Sequence, residues 1–260
     1  MSAALSLLDR LATASDVDDS VALVVAHQDD ETLALGARLS HLRRLTLIHL
    51  TDGAPLVMRD AQAAGFGTRE AYAAARAREL DAALAAAGAR PERRLGFDVV
   101  DQDCVRALPT IIRRLTADLQ GMAAVITHPY EGGHPDHDAA ALAVQAACAR
   151  LGPRAPVRLE FAGYFLGPDG PRTGVFFEDD GLLCAADDAD TARKAAALSA
   201  YVSQADVLAL FRFGPERLRL APTYDFSQPP ANGRSLYDTY GWALTSERWR
   251  ATAAEALACA

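Results

Sequence analysis

Apolar and polar positions alternate in blocks through the first half of the chain. Two continuous apolar runs, at 21–26 and 45–51, are rich in Val, Ile and Leu, as is typical of strands covered on both faces. Between them, leucines recur at roughly helical spacing and predict a helix over 31–44. A strand, a helix and a second buried strand form a βαβ unit, so the pattern predicts an α/β protein with a parallel sheet.

The same alternation continues along the chain. It predicts further helices at 69–89, 105–119, 135–151, 191–202 and 246–257, and further strands at 94–97, 123–127, 157–166 and 174–178. We therefore expect a Rossmann-like three-layer fold with a mostly parallel central sheet. The whole chain, 1–260, is expected to form one domain. Because prolines and glycines interrupt the last quarter, residues 206–260 are expected to be an irregular C-terminal extension packed on it.

Two of the predicted strands are followed by clusters of histidines and carboxylates. His27, Asp29 and Asp30 come directly after the first strand, and His134 and His137 lie at the start of a later helix. Because the carboxyl ends of parallel strands meet at one edge of a sheet, we expect both clusters to lie together. Two histidines and one carboxylate are a common ligand set of catalytic zinc, which leaves a position for water. The pattern thus predicts a metal site, with Asp29 beside it as a general base.

Each cluster alone also has a purely structural explanation. Carboxylates in the first turn of a helix complement its dipole, and a proline such as Pro135 is ordinary at the first helical position. A single cluster is therefore explained about equally well as a helix start. Two clusters of this kind, each after a buried strand, favour the metal site.

The composition limits the partners of the protein. The net charge is −8, and Lys194 is the only lysine among basic residues that form no stripe, which argues against nucleic acid. The first residues lack the pattern of a secretory signal, and no apolar stretch reaches the about 18 residues of a membrane helix. We expect no membrane partner and a cytoplasmic location. The four cysteines lack C-x-x-C spacing and are expected to be free, mostly buried thiols, and nothing in the sequence indicates an oligomeric state.

Other classes of protein with a similar fold lack support in the sequence. No G-x-G-x-x-G follows the first strand, which argues against a nucleotide-binding oxidoreductase, and no G-x-S-x-G is present for a serine hydrolase. A non-catalytic metal-binding or sugar-binding protein would retain the ligands. Such a protein would not need the carboxylate of Asp29, so its presence favours an enzyme.

The two clusters carry a family resemblance. The chain resembles the PIG-L/LmbE deacetylases, zinc hydrolases that remove the acetyl group from molecules containing N-acetylglucosamine. The signatures of that family are A-H-P-D-D-E and H-P-D-H, and the chain has A-H-Q-D-D-E at 26–31 and H-P-D-H at 134–137. The likeness extends to T-D-G at 51–53, to the Arg76-x-x-Glu79 helix and to residues 194–204.

The resemblance implies roles for five residues of this chain. It implies that His27, Asp30 and His137 bind zinc, or another divalent metal such as Fe²⁺. Asp29 would be the general base, and His134 would assist the oxyanion or the leaving group. The implied substrate is a small molecule that contains an N-acetylated amino sugar. A different amide, such as a thiol conjugate or an antibiotic intermediate, is the alternative.

Further residues are candidates for supporting roles. The chain departs from the family at Gln28, where proline is usual, and at Gly132, where some members have a tyrosine that Tyr130 would replace as a substrate contact. Arg69 is a second candidate for contact with the substrate. The predicted second-shell residues of the metal are Asp52, His128 and Asp136.

Two other groups of residues are interpreted first as structural. Arg76 and Glu79, three apart on a helix, are expected to form a helix ion pair. A set of aromatic residues would suit a stacking wall for a sugar ring, although such residues are more often part of a core. This set comprises Tyr164, Phe165, Tyr237, Tyr240 and Trp242.

Overall fold

The computed structural model describes residues 2–211, 214–230 and 233–258. The strands are β1 (Val17–Val25), β2 (Leu42–Pro55), β3 (Arg93–Asp101), β4 (Ala124–Thr127), β5 (Val157–Phe161), β6 (Tyr164–Gly167), β7 (Gly170–Thr173), β8 (Leu182–Leu183) and β9 (Arg217–Leu220). The α-helices are α1 (Ala3–Thr13), α2 (Asp30–Leu35), α3 (Arg59–Ala63), α4 (Arg69–Ala86), α5 (Leu108–Asp118), α6 (Pro135–Leu151), α7 (Asp188–Leu198), α8 (Ala205–Leu208) and α9 (Ser246–Ala258).

Seven strands form the central sheet, in the order β3-β2-β1-β4-β5-β9-β8. The first five are parallel, whereas β9 runs antiparallel to β5, and β8 runs antiparallel to β9. At the centre, Leu23 of β1 lies between Leu47 of β2 and Ile126 of β4. The expected fold class, a three-layer α/β fold with a mostly parallel sheet, is confirmed.

The sheet separates two apolar clusters because successive side chains of a strand point to opposite faces. Leu23 and Val25 of β1 belong to the cluster that includes residues of α1, α2, α4 and α7. Ala22 and Val24 belong to the cluster that includes residues of α5, α6 and α9. The strand is thus buried on both faces, which explains its continuous apolar sequence.

The helix predicted over 31–44 is wrong in length, because α2 ends at Leu35. In a longer helix the N–H of Ala37 would bond to the carbonyl of Leu33. Instead, the Leu33 carbonyl accepts from Nζ of Lys194 at 2.8 Å, and the Ala37 N–H donates to Glu216 at 2.8 Å. Residues far along the chain therefore end this helix, which local periodicity does not show.

The strands differ from their prediction in four places. The strand expected at 157–166 is divided into two, β5 and β6. The strand expected at 94–97 is β3, which is longer and reaches Asp101. The strand expected at 174–178 is wrong, since the hairpin partner of β6 is β7, and Gly174 has a positive φ of 68°. Part of the segment expected to be irregular, β9, lies inside the central sheet. The helix predicted at 135–151 coincides with α6 and is confirmed.

The thiols agree with their prediction where the structure describes them. Cys104, Cys148 and Cys184 are buried and free, and Cys259 lies outside the described residues. Among the helices of the described residues, none combines the length and the apolar content that crossing a bilayer requires.

Candidate metal centre

The two predicted clusters lie together at the carboxyl edge of the sheet. His27 follows β1 and lies with Nδ1 3.3 Å from Oδ2 of Asp30, at the start of α2. The ring centroid of His27 is 4.6 Å from that of His134 and 5.4 Å from that of His137, at the start of α6. All four side chains are buried. The parallel topology brings together residues more than 100 positions apart, as the strand pattern predicts.

Three overlapping groups of side chains offer metal-ligating atoms within 4.8 Å of one another. Each predicted ligand belongs to at least one group, although no group contains all three. His27 and His137 share a group with His134, and Asp30 and His137 share one with His128. The third group comprises His27, Asp101, His134 and Asp136.

The donor atoms fit a divalent metal such as zinc. Nε2 of His137 is buried 3.3 Å from Oδ1 of Asp30 and has no hydrogen-bond partner among the described residues. Burial lowers the pKa of His134 and His137 to about 3, so both imidazoles are neutral near pH 7. Neutral imidazole is the form that binds metals, and nitrogen and carboxylate oxygen are common zinc ligands. An unpartnered, neutral ring nitrogen aimed at a carboxylate is the arrangement that a cation between them would satisfy.

Asp29 is held beside these groups in an unusual backbone conformation. Its φ is 142°, a region that residues other than glycine rarely adopt. The carboxylate is buried, and Oδ2 accepts a hydrogen bond from Arg76 at 3.0 Å. Burial raises the pKa of Asp29 to about 7, although the positive charge of Arg76 acts in the opposite direction. None of the three donor groups includes Asp29 among the described residues.

The predicted helix ion pair between Arg76 and Glu79 is wrong. Arg76 is buried and points to the turn after β1, where it also donates to the carbonyls of Gln28 and Gly53 at 2.8 Å each. Glu79 instead accepts from the backbone and the hydroxyl of Ser203 at 2.8 and 2.6 Å. Arg76 is thus a functional candidate that the helical spacing concealed.

Gln28 supports the same turn. Its side-chain amide donates to the carbonyl of Thr51 at 3.0 Å and so links the ends of β1 and β2. Its other amide atom, Oε1, would lie 2.2 Å from a Cβ at position 53, so Gly53 is needed there. The residue that departs from the family signature is therefore part of the turn and not of the donor groups.

The side chain of Glu31 accepts a hydrogen bond from the backbone of the turn after β1. The carboxylate is fully buried, and Oε2 accepts the backbone N–H of Asp29 at 3.2 Å and lies 3.1 Å from Nε2 of His49. Oε1 accepts from the hydroxyls of Thr32 and Tyr201. The carboxylate of Glu31 therefore fixes the backbone of Asp29.

His128 and Asp136, two of the predicted second-shell residues, contact the predicted ligands and also belong to the donor groups. The ring of His128 stacks on that of His137 at 3.8 Å, and its Nε2 lies 3.4 Å from Oδ2 of Asp30. Oδ2 of Asp136 lies 3.3 Å from Nε2 of His27, and the Asp136 carboxylate also accepts two backbone N–H groups. These contacts orient the rings of His27 and His137 and the carboxylates of Asp30 and Asp136.

Asp101 is the site residue that the sequence argument missed. Its Oδ1 lies 3.1 Å from Nε2 of His27 and 3.9 Å from Nε2 of His134. Although burial opposes ionisation, His27 holds the pKa of Asp101 well below its usual range. The sequence does contain an indication of this role, because Asp101 is the last residue of β3 and so lies at the same carboxyl edge of the sheet as the two clusters. The predicted strand was too short to reach it.

His134 is fixed by the helix that it precedes. Its Nδ1 accepts the backbone N–H of Asp136 at 3.2 Å, which caps the N-terminus of α6. The remaining proton of the neutral ring therefore lies on Nε2, the nitrogen that faces Asp101. His134 can donate a hydrogen bond from Nε2 without carrying a positive charge.

The other three predicted residues, Asp52, Arg69 and Tyr130, have their hydrogen-bond partners away from the histidines of the site. Asp52 bonds to Arg69, which also donates to the Ala54 carbonyl at 3.0 Å. Tyr130 is buried, and its hydroxyl donates to the carbonyl of Gln228 at 2.9 Å. Contact of Arg69 or Tyr130 with a substrate, and of Asp52 with a ligand histidine, stays a prediction.

The fold and the cluster define a class of protein: a three-layer α/β protein with a buried His and Asp site at the carboxyl edge of a mostly parallel sheet. Residues 22–148 match the family model PIG-L, described as GlcNAc-PI de-N-acetylase. This match agrees with the family resemblance that the two signatures predicted. No protein of curated function gives a significant sequence match.

Solved structures of other proteins are similar in fold. The A40926 pseudoaglycone deacetylase Dbv21 is 18% identical, with a TM-score of 0.57 over 80% of this chain and 100% of that one. The zinc-inhibited form of the teicoplanin deacetylase Orf2 is 14% identical, with a TM-score of 0.56 over 79% of this chain and 100% of that one. The N,N'-diacetylchitobiose deacetylase from Pyrococcus horikoshii is 16% identical, with a TM-score of 0.55 over 79% and 85%. At these identities the similarity establishes the fold alone.

Proposed function

We propose that the protein is a metal-dependent N-deacetylase that hydrolyses the acetamide of a small molecule containing an amino sugar. One observation carries the proposal: Asp29 is buried beside the donor groups but belongs to none of them among the described residues. A site that only stored a metal would not require this carboxylate. Hydrolysis requires it, because a base has to take a proton from the attacking water.

The metal in this proposal is Zn²⁺, held by His27, Asp30 and His137, with Fe²⁺ as the alternative. His128 and Asp136, which contact these residues, would fix the orientation of the rings. When bound, the metal lowers the pKa of water and polarises the acetamide carbonyl. His137 is neutral, and the neighbouring histidines keep the buried Asp30 ionised, so both are in the form that binds a metal. Although burial acts in the opposite direction, Asp101 raises the pKa of His27 well above its usual value, so His27 would release a proton when the metal binds.

In this proposal Asp29 performs both proton transfers, and Arg76 and His134 support it with hydrogen bonds. Asp29 takes a proton from water as the water attacks the carbonyl carbon. Arg76, 3.0 Å from Oδ2, holds the carboxylate in place. His134 donates the hydrogen bond of Nε2 to the developing oxyanion. Asp29 then passes its proton to the amine nitrogen as the carbon–nitrogen bond breaks, which releases acetate and a free amino sugar.

The comparisons support the substrate class. The family name refers to removal of acetyl from an N-acetylglucosamine lipid, and one similar structure is named as a deacetylase of diacetylchitobiose. Two others are named as deacetylases of A40926 pseudoaglycone and of teicoplanin, so the named substrates range from a disaccharide to larger molecules. The family name and the diacetylchitobiose deacetylase have an N-acetylated amino sugar in common.

We also propose that the chain functions as one domain. The segment after residue 206 contributes β9 to the central sheet, and its later part contacts the start of α6. The indole of Trp249 donates to the carbonyl of Pro135 at 2.9 Å. The C-terminal segment would therefore fold together with the metal site.

An acetate-release screen on metal-loaded protein tests the function. The protein is stripped with a chelator, reloaded with Zn²⁺ or Fe²⁺, and given free N-acetylglucosamine, N,N'-diacetylchitobiose and larger N-acetylglucosaminides. We expect one bound metal per chain and acetate release that stops on chelation and returns with metal. A protein that binds no metal and releases acetate from none of these compounds would contradict the proposal.

A further inference from the structure

Three aromatic side chains border the histidines of the candidate site. The ring of Tyr164 lies 5.1 Å from that of His137, and the ring of Trp242 lies 5.4 Å from that of His134. The ring of Tyr240 lies 5.0 Å from Trp242 and extends the same surface. Tyr164, Tyr240 and Trp242 are called the aromatic wall below.

The exposure of these rings separates them from the core. Tyr240 is 40% exposed, and Tyr164 and Trp242 are partly exposed. Phe165 and Tyr237, which the sequence placed in the same candidate set, are 5% and 1% exposed. The three rings of the wall therefore keep part of their surface available beside a buried polar site, although the ring of Tyr164 also stacks on that of Phe211 at 4.5 Å. Phe165 and Tyr237 are used for packing.

Two adjacent glycines allow the wall to approach the histidines. A Cβ at Gly133 would lie 2.2 Å from the carbonyl oxygen of Tyr164 and 2.9 Å from its ring. A Cβ at Gly132, which has a φ of 71°, would lie 2.7 Å from the hydroxyl of Ser235. The absence of side chains at Gly132 and Gly133 thus allows Ser235 and Tyr164 to pack against the loop before His134.

The segment that carries Tyr240 and Trp242 is fixed to the start of α6. The backbone N–H of Leu236 donates to the carbonyl of Gly132 at 2.7 Å, and the hydroxyl of Tyr237 donates to Asp138 at 3.0 Å. Further along, Asp238 accepts from the backbone and the hydroxyl of Ser246 at 2.7 Å each. These bonds hold both ends of the turn in which the two rings lie, so the rings have a defined position relative to His134.

We propose that the aromatic wall is the subsite for the pyranose ring of the acetylated sugar. The C–H groups on one face of a pyranose pack well on aromatic rings, and a rigid ring surface restricts the orientation of the sugar. The acetamide of a sugar stacked there would be directed to the histidines. This inference rests on the proposed function, since it places the ring of the substrate whose acetamide is hydrolysed.

Steady-state kinetics with and without a sugar ring test the subsite. N-acetylglucosamine is compared with N-acetylethanolamine, which has the same acetamide and no ring, on zinc-loaded protein. We expect Trp242→Ala to raise the KM for N-acetylglucosamine about tenfold, with kcat within about twofold, and to leave kcat/KM for N-acetylethanolamine unchanged. Trp242→Phe keeps a ring and should restore most of the loss. Leu257→Ala, which alters a side chain that is also 40% exposed, serves as the control.

Tryptophan fluorescence gives a second readout that needs no turnover. The chain has two tryptophans, of which Trp249 is fully buried and Trp242 lies at the site. Addition of N-acetylglucosamine should change the emission of the wild-type protein, and the change should be absent in Trp242→Phe. Saturation of this signal without acetate release would support the subsite while contradicting the proposed function.

Three results would overturn the subsite. The first is wild-type affinity for N-acetylglucosamine in Trp242→Ala. The second is an equal loss of kcat/KM for the sugar and for N-acetylethanolamine in that variant, because such a loss would reflect general damage to the site. The third is a wild-type protein that releases acetate from N-acetylethanolamine but shows neither release nor a fluorescence change with the sugar.

Discussion

At the scale of single residues, the backbone of Asp29 depends on the side chain of Glu31. Asp29 has a φ of 142°, which costs free energy for a residue with a side chain. Its N–H is bonded to a carboxylate that is also fixed by His49, Thr32 and Tyr201. We interpret this buried network as the support that keeps the carboxylate of Asp29 beside the site.

Replacement of Glu31 by glutamine should therefore reduce kcat. The amide keeps the size of the side chain but exchanges one acceptor oxygen for a donor, so the two contacts made by that oxygen are disturbed. We expect a loss of about 1–3 kcal/mol in the free energy of unfolding and a fall in kcat of about 10- to 100-fold, with an unchanged metal content. Tyr201→Phe, which removes a single donor, should have a smaller effect. Wild-type kcat in Glu31→Gln would contradict this interpretation.

The sequence contains the residues of the site but not all of their contacts. The spacing in the two clusters was sufficient to predict that His27, Asp30, His134 and His137 lie together. Arg76 was misinterpreted because helical spacing pairs it with the nearest carboxylate. Its partner, Asp29, is 47 residues away, and only the packing of α4 against the sheet brings the two together.

At the scale of elements, the loop before α6 is shaped by what packs against it. Gly133 admits the backbone and the ring of Tyr164, and Gly132 admits Ser235. The helix then begins at Pro135 with His134 as its cap. The position of the two histidines is consequently coupled to β6 and to the C-terminal segment.

Alanine at position 133 should disturb the site, whereas alanine at position 163 should not. A Cβ at Gly133 meets a backbone oxygen, which cannot move away as the end of a side chain can, and we expect a loss of about 1–3 kcal/mol in stability. Gly163 has no neighbour within 4 Å of such a Cβ, so Gly163→Ala should change stability by less than about 0.5 kcal/mol. Thermal unfolding and acetate release of the two variants measure the difference. Equal behaviour of both variants would show that the close approach of Tyr164 is unimportant.

The elements that were predicted correctly are those whose sequence pattern is local. The helix α6 begins at Pro135, which the sequence placed at the first helical position, and it ends at Leu151, before Gly152. The helix α2 was predicted too long because Lys194 and Glu216, which replace its next hydrogen bond, are distant in sequence. The strand β9 was missed because its short sequence alternates arginine and leucine without a longer apolar run.

At the scale of the whole molecule, a second buried group of charges lies beside the sheet. Arg219 of β9 donates to Glu160 of β5 at 2.9 Å and to Glu131 at 3.1 Å, so one cation faces two carboxylates. Burial raises the pKa of Glu160 to about 7 and that of Glu131 to about 6, although Arg219 acts in the opposite direction. One charge cannot fully compensate two buried carboxylates.

The contribution of Glu160 to stability should therefore fall as the pH rises from about 4.5 to about 7. In this range the folded protein keeps a proton on Glu160, whose ordinary pKa is 4.5, while the unfolded chain loses it. The stabilisation is complete below the unfolded pKa and is lost as the pH passes the folded pKa. Urea unfolding at pH 5 and pH 7.5 gives the change in the free energy of unfolding between the two pH values, and this change should be about 1–3 kcal/mol more favourable to the folded state in Glu160→Gln than in the wild type. An identical change in both proteins would contradict the assignment to Glu160.

The central claim for the molecule is that the metal and the proton acceptor are separate groups. The most direct measurement is acetate release by Asp29→Ala at a metal content equal to that of the wild type. We expect the variant to bind one metal per chain and to release acetate at least about 100-fold more slowly, because it has ligands but no base. Near-normal release would show that Asp29 is not the base. Loss of the metal would show that Asp29 belongs to the ligands.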